Sequence, residues 1–200
     1  VVYAGSVVDT VHPVAFDLAA PLIFKSRDGG VTWAEMDDGF PVNVQTSINA
    51  IVVHTTDPDI AYVMTSPYES ETAIGIYKTT DGGETWKKVL YISEKVGVVE
   101  VAIDPSDNKT LYAVAWERDR KAWDNVVAGP GSGIYKSTDA GETWKLLTKG
   151  LPTGEKVGRM GIAIAPSNPN VLYIICDHRG VGGEVYHSDN KGESWRKTHE

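Results

Sequence analysis

Between residues 116 and 125 the chain reads WERDRKAWDN, which gathers Trp116, Glu117, Arg118, Asp119, Arg120, Lys121, Trp123 and Asp124 in one short segment. Indoles beside carboxylates and guanidinium groups suit a polyhydroxylated ligand. The rings stack on apolar faces, and Asp or Arg exchanges hydrogen bonds with hydroxyls. Cleaving a glycosidic bond asks for two carboxyl groups about 5–10 Å apart. Glu117, Asp124 and Asp177 are the carboxylates that can in principle supply them. A second polar segment, CDHRGVGG (176–183), adds His178 and Arg179, and a histidine next to an aspartate can serve as a base in a cleft. The competing reading is architectural. Trp116 then ends a core strand, Trp123 pins a loop, the charges form a solvated network and 177–183 is an ordinary polar loop. His12, His54, His187 and His199 are scattered without HxH or HExxH spacing, so no metal site is expected. Phosphate-loop, GxSxG and dinucleotide-binding patterns do not occur, and no cofactor is expected.

Composition narrows the classes further. A net charge of −8 over 200 residues argues against nucleic acid and against an anionic membrane surface. No apolar run approaches the roughly 20 residues of a membrane-spanning helix. The single cysteine, Cys176, sits in VLYIICD and reads as a buried strand residue; alone, it reveals nothing of the redox compartment. The chain opens on VVYAG, without an initiator methionine or a signal-peptide pattern, and reads as the middle of a longer polypeptide.

The elements that must position these residues come in repeats. SRDGGVTW (26–33), TTDGGETW (79–86), STDAGETW (137–144) and SDNKGESW (188–195) are four copies of Ser/Thr-x-Asp-x-Gly-x-Thr/Ser-Trp, with Asn190 replacing the aspartate in the last. Their Asp or Asn positions are spaced 53, 58 and 51 residues apart, a period that signals a repeat architecture. Each unit has two alternating apolar runs joined by an Asp/Pro/Asn turn, such as INAIVVH, TTDPD and IAYVMT. A variable loop, a third run such as GIYKT, the eight-residue box, and a fourth run starting at Trp complete it. Four short strands with no helical period predict a four-stranded antiparallel blade. Within the box, Asp139 can accept N–H groups across its own turn, Gly141 can take positive φ, and Trp144 can bury its ring between neighbouring blades. A structural role is expected for Asp28, Trp33, Asp81, Trp86, Asp139, Trp144, Asn190 and Trp195.

These boxes identify the chain as resembling the Asp-box, or bacterial-neuraminidase-repeat, propellers. That pattern is found in sialidases, xyloglucanases, sortilin-type receptors and a photosystem II assembly factor. GIYKTTDGGETWKKVLYISEKVGVVEVAIDPSDNKTLYAVAWERDRKAW is similar to large secreted bacterial proteins with sortilin-like propellers, often labelled glycosyl hydrolase. The resemblance implies an all-β propeller segment of about three and three-quarter blades, part of a ring of seven. The expected blades are 1–40 (incomplete, lacking its first strand), 41–93, 94–150 and 151–200. It also implies a binding face opposite the boxes and a secreted, periplasmic or cell-surface location. The Arg-Ile-Pro signature of a sialidase is lacking.

On that face should lie loops 9–21, 66–74, 117–132, 148–159 and 177–183, with 117–132 near 177–183. Trp116, Arg118, Arg120, Trp123, Arg159, His178 and Arg179 are the ligand-binding candidates. The leading expectation is a non-catalytic module binding a protein, peptide or glycan. The alternatives are part of a xyloglucanase-like glycoside hydrolase, or an assembly module whose open blades meet the rest of a longer chain or another chain. Among the four indoles, Trp195 is expected to be the more exposed, because a following blade should cover it.

Overall fold

The computed structural model describes residues 1–5, 23–40, 46–67, 74–121 and 124–198. All regular structure in them is β. The first sheet joins β1 (Val2–Gly5), β2 (Ile23–Ser26) and β3 (Ala34–Glu35) in that order. The second runs β4 (Thr46–Val53), β5 (Ala61–Pro67), β6 (Gly75–Thr79) and β7 (Lys87–Leu90). The third is built from β8 (Val96–Asp104), β9 (Asp107–Glu117), β12 (Gly133–Ser137) and β13 (Lys145–Leu146). Between β9 and β12 the hairpin β10 (Asp119–Lys121) and β11 (Asp124–Val126) stands as a sheet of its own. The fourth sheet runs β14 (Val157–Ile164), β15 (Leu172–His178), β16 (Gly182–Ser188) and β17 (Arg196–Lys197). Every pairing is antiparallel. The first sheet has its second, third and fourth strands, as the repeat predicts. Residues 1–94 and 95–200 form two compact units, the first holding the first two sheets and the second the other two together with the hairpin.

The box turns share one set of bonds. Ser26, Thr79, Ser137 and Ser188 donate their hydroxyls to the first side-chain oxygen of Asp28, Asp81, Asp139 and Asn190 at 2.7–2.9 Å. The same hydroxyls accept the amides of Gly30, Gly83, Gly141 and Gly192. The amides of Thr32, Thr85, Thr143 and Ser194 return to that side-chain oxygen at 2.9–3.0 Å. In three boxes the Thr hydroxyl donates to the second carboxylate oxygen. In the fourth, Asn190 Nδ2 donates to Ser194 Oγ instead, so the amide preserves the turn by reversing one bond. Two consecutive residues in each box have positive φ, including Ala140 (59°) and Lys191 (55°) where the other boxes have glycine.

The turns also join sheets. Lys25 Nζ donates to the Gly82 carbonyl at 2.7 Å, and Lys136 Nζ to the Lys191 carbonyl at 2.8 Å, so a third-strand lysine holds the box of the following sheet. The tryptophan that ends each of these boxes packs backward. Trp86 Nε1 donates to Met36 O at 2.8 Å and its amide to Asp38 O, while the Trp195 amide donates to Lys149 O. Gly39 (φ 76°) and Gly150 (φ 84°) lie against the backbones of Trp86 and Trp195, where a Cβ would collide. Phe40 and Leu151, the next residues, are buried in the cores these indoles complete. Accordingly Trp86 is 5% and Trp195 6% exposed, whereas Trp33 is 44% exposed and Trp144 half-buried. The expectation for Trp195 is overturned: its cover is the preceding sheet, not a following one. Burying a large apolar side chain contributes about 2–3 kcal/mol, more than a single neutral hydrogen bond.

The box geometry makes two expectations measurable. Bonds from Thr85 and Thr143 hold the carboxyls of Asp81 and Asp139 down at about 2. Their contribution is therefore complete above the ordinary carboxylate value of about 3.9 and is lost as pH falls through about 2. Melts between about pH 5 and 2 should show the midpoint falling in this window, less steeply in Asp139→Asn, since an amide does not titrate. An identical slope in the variant would show that this box does not contribute. Second, Ala140→Gly should raise the unfolding free energy by roughly 0.5–1 kcal/mol by relieving the left-handed conformation. Lys191→Gly should lower it, because Lys191 Nζ lies 2.7 Å from the fully buried Asp104 carboxylate. Denaturant titrations of both variants read the two signs.

Candidate functional site

In the second unit, the end opposite the boxes is built around the close of β9. Trp116, next to last in that strand, is half-buried, its Nε1 donating to Val127 O at 2.8 Å across the base of the β10–β11 hairpin. Two guanidinium groups sit over its ring, with the Arg118 carbon 5.3 Å and the Arg159 carbon 5.6 Å from the centroid. Each such contact contributes about 0.5–1 kcal/mol at an exposed site. Arg159 comes from the start of β14, at the bulge between Val157 and Met160, and Arg118 from the residue just after β9, so one indole meets cations from two parts of the unit. The ring that the sequence offers as a sugar platform is thus occupied by arginines.

Glu117 turns away from chemistry. Its Oε2 accepts the Gly131 amide at 2.9 Å, and its own amide donates to the buried Ser132 hydroxyl. Its carboxylate fills the space where a side chain at Gly129 would stand, and at Gly131 a side chain would meet Val96 first. The loop it holds meets the next sheet through Gly129 N to Val157 O at 2.9 Å, and Val157 pairs with His178. Segments 117–132 and 177–183 thus both border Val157.

Asp177 and His178 do not form an acid–base pair, because consecutive strand residues point to opposite faces. Asp177 is exposed and lines an open depression of about 490 Å³ with Glu100, Arg159, Gly161, Ile175 and Gly183. The His178 Nδ1 lies 3.0 Å from Glu184, which also receives Lys197 Nζ at 2.8 Å and the Tyr186 hydroxyl at 2.7 Å. The bonds from Lys197 and then Tyr186 hold the buried Glu184 carboxyl down at about 2. Burial, then the bond to Glu184, pushes the Tyr186 phenol up. This cluster ties β17 and the end of β15 to β16. Cys176 is fully buried, and burial, followed by nearby Glu184, raises its thiol to about 12; it is a packing residue.

Among the sequence candidates, the structure brings together Trp116, Arg118 and Arg159, and sets Asp177 beside Arg159. Arg179 is exposed at the turn, its amide bonded to Lys156 O. Arg120 and Asp124 lie on paired strands of the hairpin; their side chains, like Trp123 and loop 9–21, fall outside the described residues. Sequence reasoning misses Glu100 and Glu184. Glu184 carries a signal, since it stands in the fourth copy where Gly75 and Gly133 stand in the second and third. No group of three or more potential metal ligands occurs among the described residues.

Glu117→Ala should free the Gly131 amide and raise its hydrogen-exchange rate roughly tenfold or more, the loss of about 1–2 kcal/mol of local stability. Unchanged exchange at Gly131 would show that the loop is held by other contacts.

Comparison with known proteins adds the fold family. Residues 22–151 match the Sortilin-Vps10 family, described as sortilin, neurotensin receptor 3. The xyloglucanase Xgh74A of Acetivibrio thermocellus is 27% identical over 125 residues, covering 56% of this chain and 13% of that protein. The dispase autolysis-inducing protein of Streptomyces mobaraensis is 29% identical over 112 residues, covering 52% of this chain and 28% of its own. In three dimensions an ancestral GH74 enzyme matches with a TM-score of 0.66 at 20% identity, over 94% of this chain and 23% of that one. The GH74 xyloglucanase from Xanthomonas campestris matches at 0.63 and 19% identity, over 90% and 28%. This chain spans less than a third of each of these proteins. The structural likenesses show that its sheets are blades of a partial β-propeller. With its boxed antiparallel sheets and a family match over more than half of its residues, the chain belongs to the Sortilin-Vps10 family.

Proposed function

We propose that this segment is a non-catalytic binding module of an extracellular propeller, secreted, periplasmic or on the cell surface, and that its ligand is a glycan chain. The observation that carries the reading is the pair of guanidinium groups, Arg118 and Arg159, ordered over Trp116 at the end opposite the boxes. Rigid guanidinium donors can bridge neighbouring hydroxyls, and their order reduces the entropy lost on binding. Glycine at 161 and 183 lets a ring approach the backbone of the adjoining depression. The similarity to xyloglucanases supports a polysaccharide over a protein ligand. Glu117 is committed to its loop, which supports binding over cleavage.

A second reading, part of a glycoside hydrolase, is favoured by Glu100 and Asp177 lining the same depression as Arg159. Calorimetric titration with xyloglucan oligosaccharides tests the first. Binding should be measurable and weakened about tenfold, or about 1.4 kcal/mol, by Arg159→Ala. Absence of binding to the intact chain would sink the glycan reading. Release of reducing ends that disappears in Asp177→Asn would replace it with the hydrolase.

A further inference from the structure

We infer that the outer strands of the second sheet carry a carboxylate-binding site for an acidic sugar, built from the Tyr77 hydroxyl, the Lys88 ammonium and the Tyr91 ring. The fourth sheet supplies the template. There Tyr186 on β16 and Lys197 on β17 are cross-strand partners. Both donate to one carboxylate, that of Glu184, at 2.7 and 2.8 Å. Glu184 precedes Tyr186 by two residues on β16, so this sheet brings its own acceptor.

The second sheet repeats the two donors. Tyr77 stands two residues before the box residue Thr79, as Tyr186 stands two before Ser188. Lys88 stands two residues after Trp86, as Lys197 stands two after Trp195. Tyr77 and Lys88 are again cross-strand partners, on β6 and β7. The acceptor is not repeated, because Gly75 holds the place of Glu184. Its φ of 133° and the Leu90 carbonyl, with which a Cβ would collide, exclude a side chain there.

The tyrosine registers the difference. Tyr77 is 3% exposed and packs edge-on to Phe40 with centroids 4.8 Å apart. Among the described residues its hydroxyl has no hydrogen-bond partner, and that oxygen is not one of the buried unpaired atoms, so it opens onto solvent. Burial pushes the phenol up to about 12, which keeps it a donor at neutral pH. The Lys88 ammonium lies 5.3 Å from the ring centroids of both Tyr77 and Tyr91. Burial lowers its pKa, a cost that an adjacent anion offsets. Lys88 is engaged by other groups as well, but an ammonium carries three donors, and Lys25 and Lys136 each use two. Tyr91 is 52% exposed beside it. Two donors next to an exposed ring suit a uronate, the carboxylate meeting the donors and the apolar face of the sugar meeting the ring. The net charge of −8 opposes an anion at long range only, since salt screens exposed charges beyond about 8 Å.

Titration of the 200-residue chain with sodium glucuronate, followed by amide chemical shifts and calorimetry, tests the site. Glucuronate should bind saturably and shift the amides of Lys88 and Tyr91, and glucose should bind about tenfold more weakly or worse. Tyr77→Phe and Lys88→Gln should each weaken glucuronate binding about tenfold or more. Melts should show both variants folded, Tyr77→Phe with little change in midpoint, since the hydroxyl it removes has no protein partner. No saturable binding up to about 50 mM, equal binding of glucose, or binding indifferent to both substitutions would overturn the proposal. Tighter binding of a glutamate-rich peptide than of glucuronate would overturn it in favour of an acidic peptide. Arg159→Ala should leave glucuronate binding unchanged, so failure here is separable from failure of the xyloglucan reading.

Discussion

The rest of the fold depends on one turn in which a Ser/Thr hydroxyl and a carboxylate or amide oxygen together accept the backbone amides in and after two left-handed residues. Left-handed backbone is costly for residues with a Cβ, and buried amides are costly without acceptors. The box answers both at once, with glycine at the second left-handed position and a fixed oxygen facing the amides. Once the turn is rigid, its carbonyl points at the neighbouring sheet and becomes the acceptor for a buried lysine. A local solution to backbone strain thereby becomes the fastener between sheets. The tolerance for Asn190 shows that the oxygen matters to this geometry, and the second charged oxygen can be exchanged for a donor.

At the opposite end, rigidity of the sheets lets polar side chains be sorted by strand alternation. Asp177 goes to the open depression and His178 to the buried Glu184, although the two are adjacent in sequence. Glu117 and Trp116 are likewise adjacent, yet one stabilises a glycine loop while the other carries arginines. The polar inventory of this end therefore divides into residues committed to architecture and a smaller set facing solvent.

The strands and the boxes were legible because their signals are local: alternation, turn residues and an eight-residue spacing. GIYKT and GIYKS coincide with β6 and β12 to the residue. The hairpin β10–β11 was hidden within WERDRKAWDN, which lacks the alternating apolar residues that mark a strand. What the sequence concealed is long-range. Glu117 receives its partner from residue 131, and the side on which Trp195 is covered is decided by packing, not by the box itself. The Gly-Phe-Pro and Gly-Leu-Pro stretches after the first and third boxes were visible as letters, but their meaning lies in the indole backbone that approaches each glycine. Glu184 shows the limit from the other side: its departure from the repeat was readable, its three donors were not.

The backward packing of Trp86 and Trp195 gives the repeat a direction in time. Each indole is received by residues that lie earlier in the chain, Met36 and Phe40 for one, Leu147 and Leu151 for the other. During synthesis from the amino terminus, the receiving core is already outside the ribosome when the tryptophan emerges. Within each unit a nascent blade therefore closes onto a finished neighbour and does not have to wait for one still unmade. Its largest apolar surface is hidden as soon as it appears, which shortens the interval in which a half-made array of sheets can stick to another.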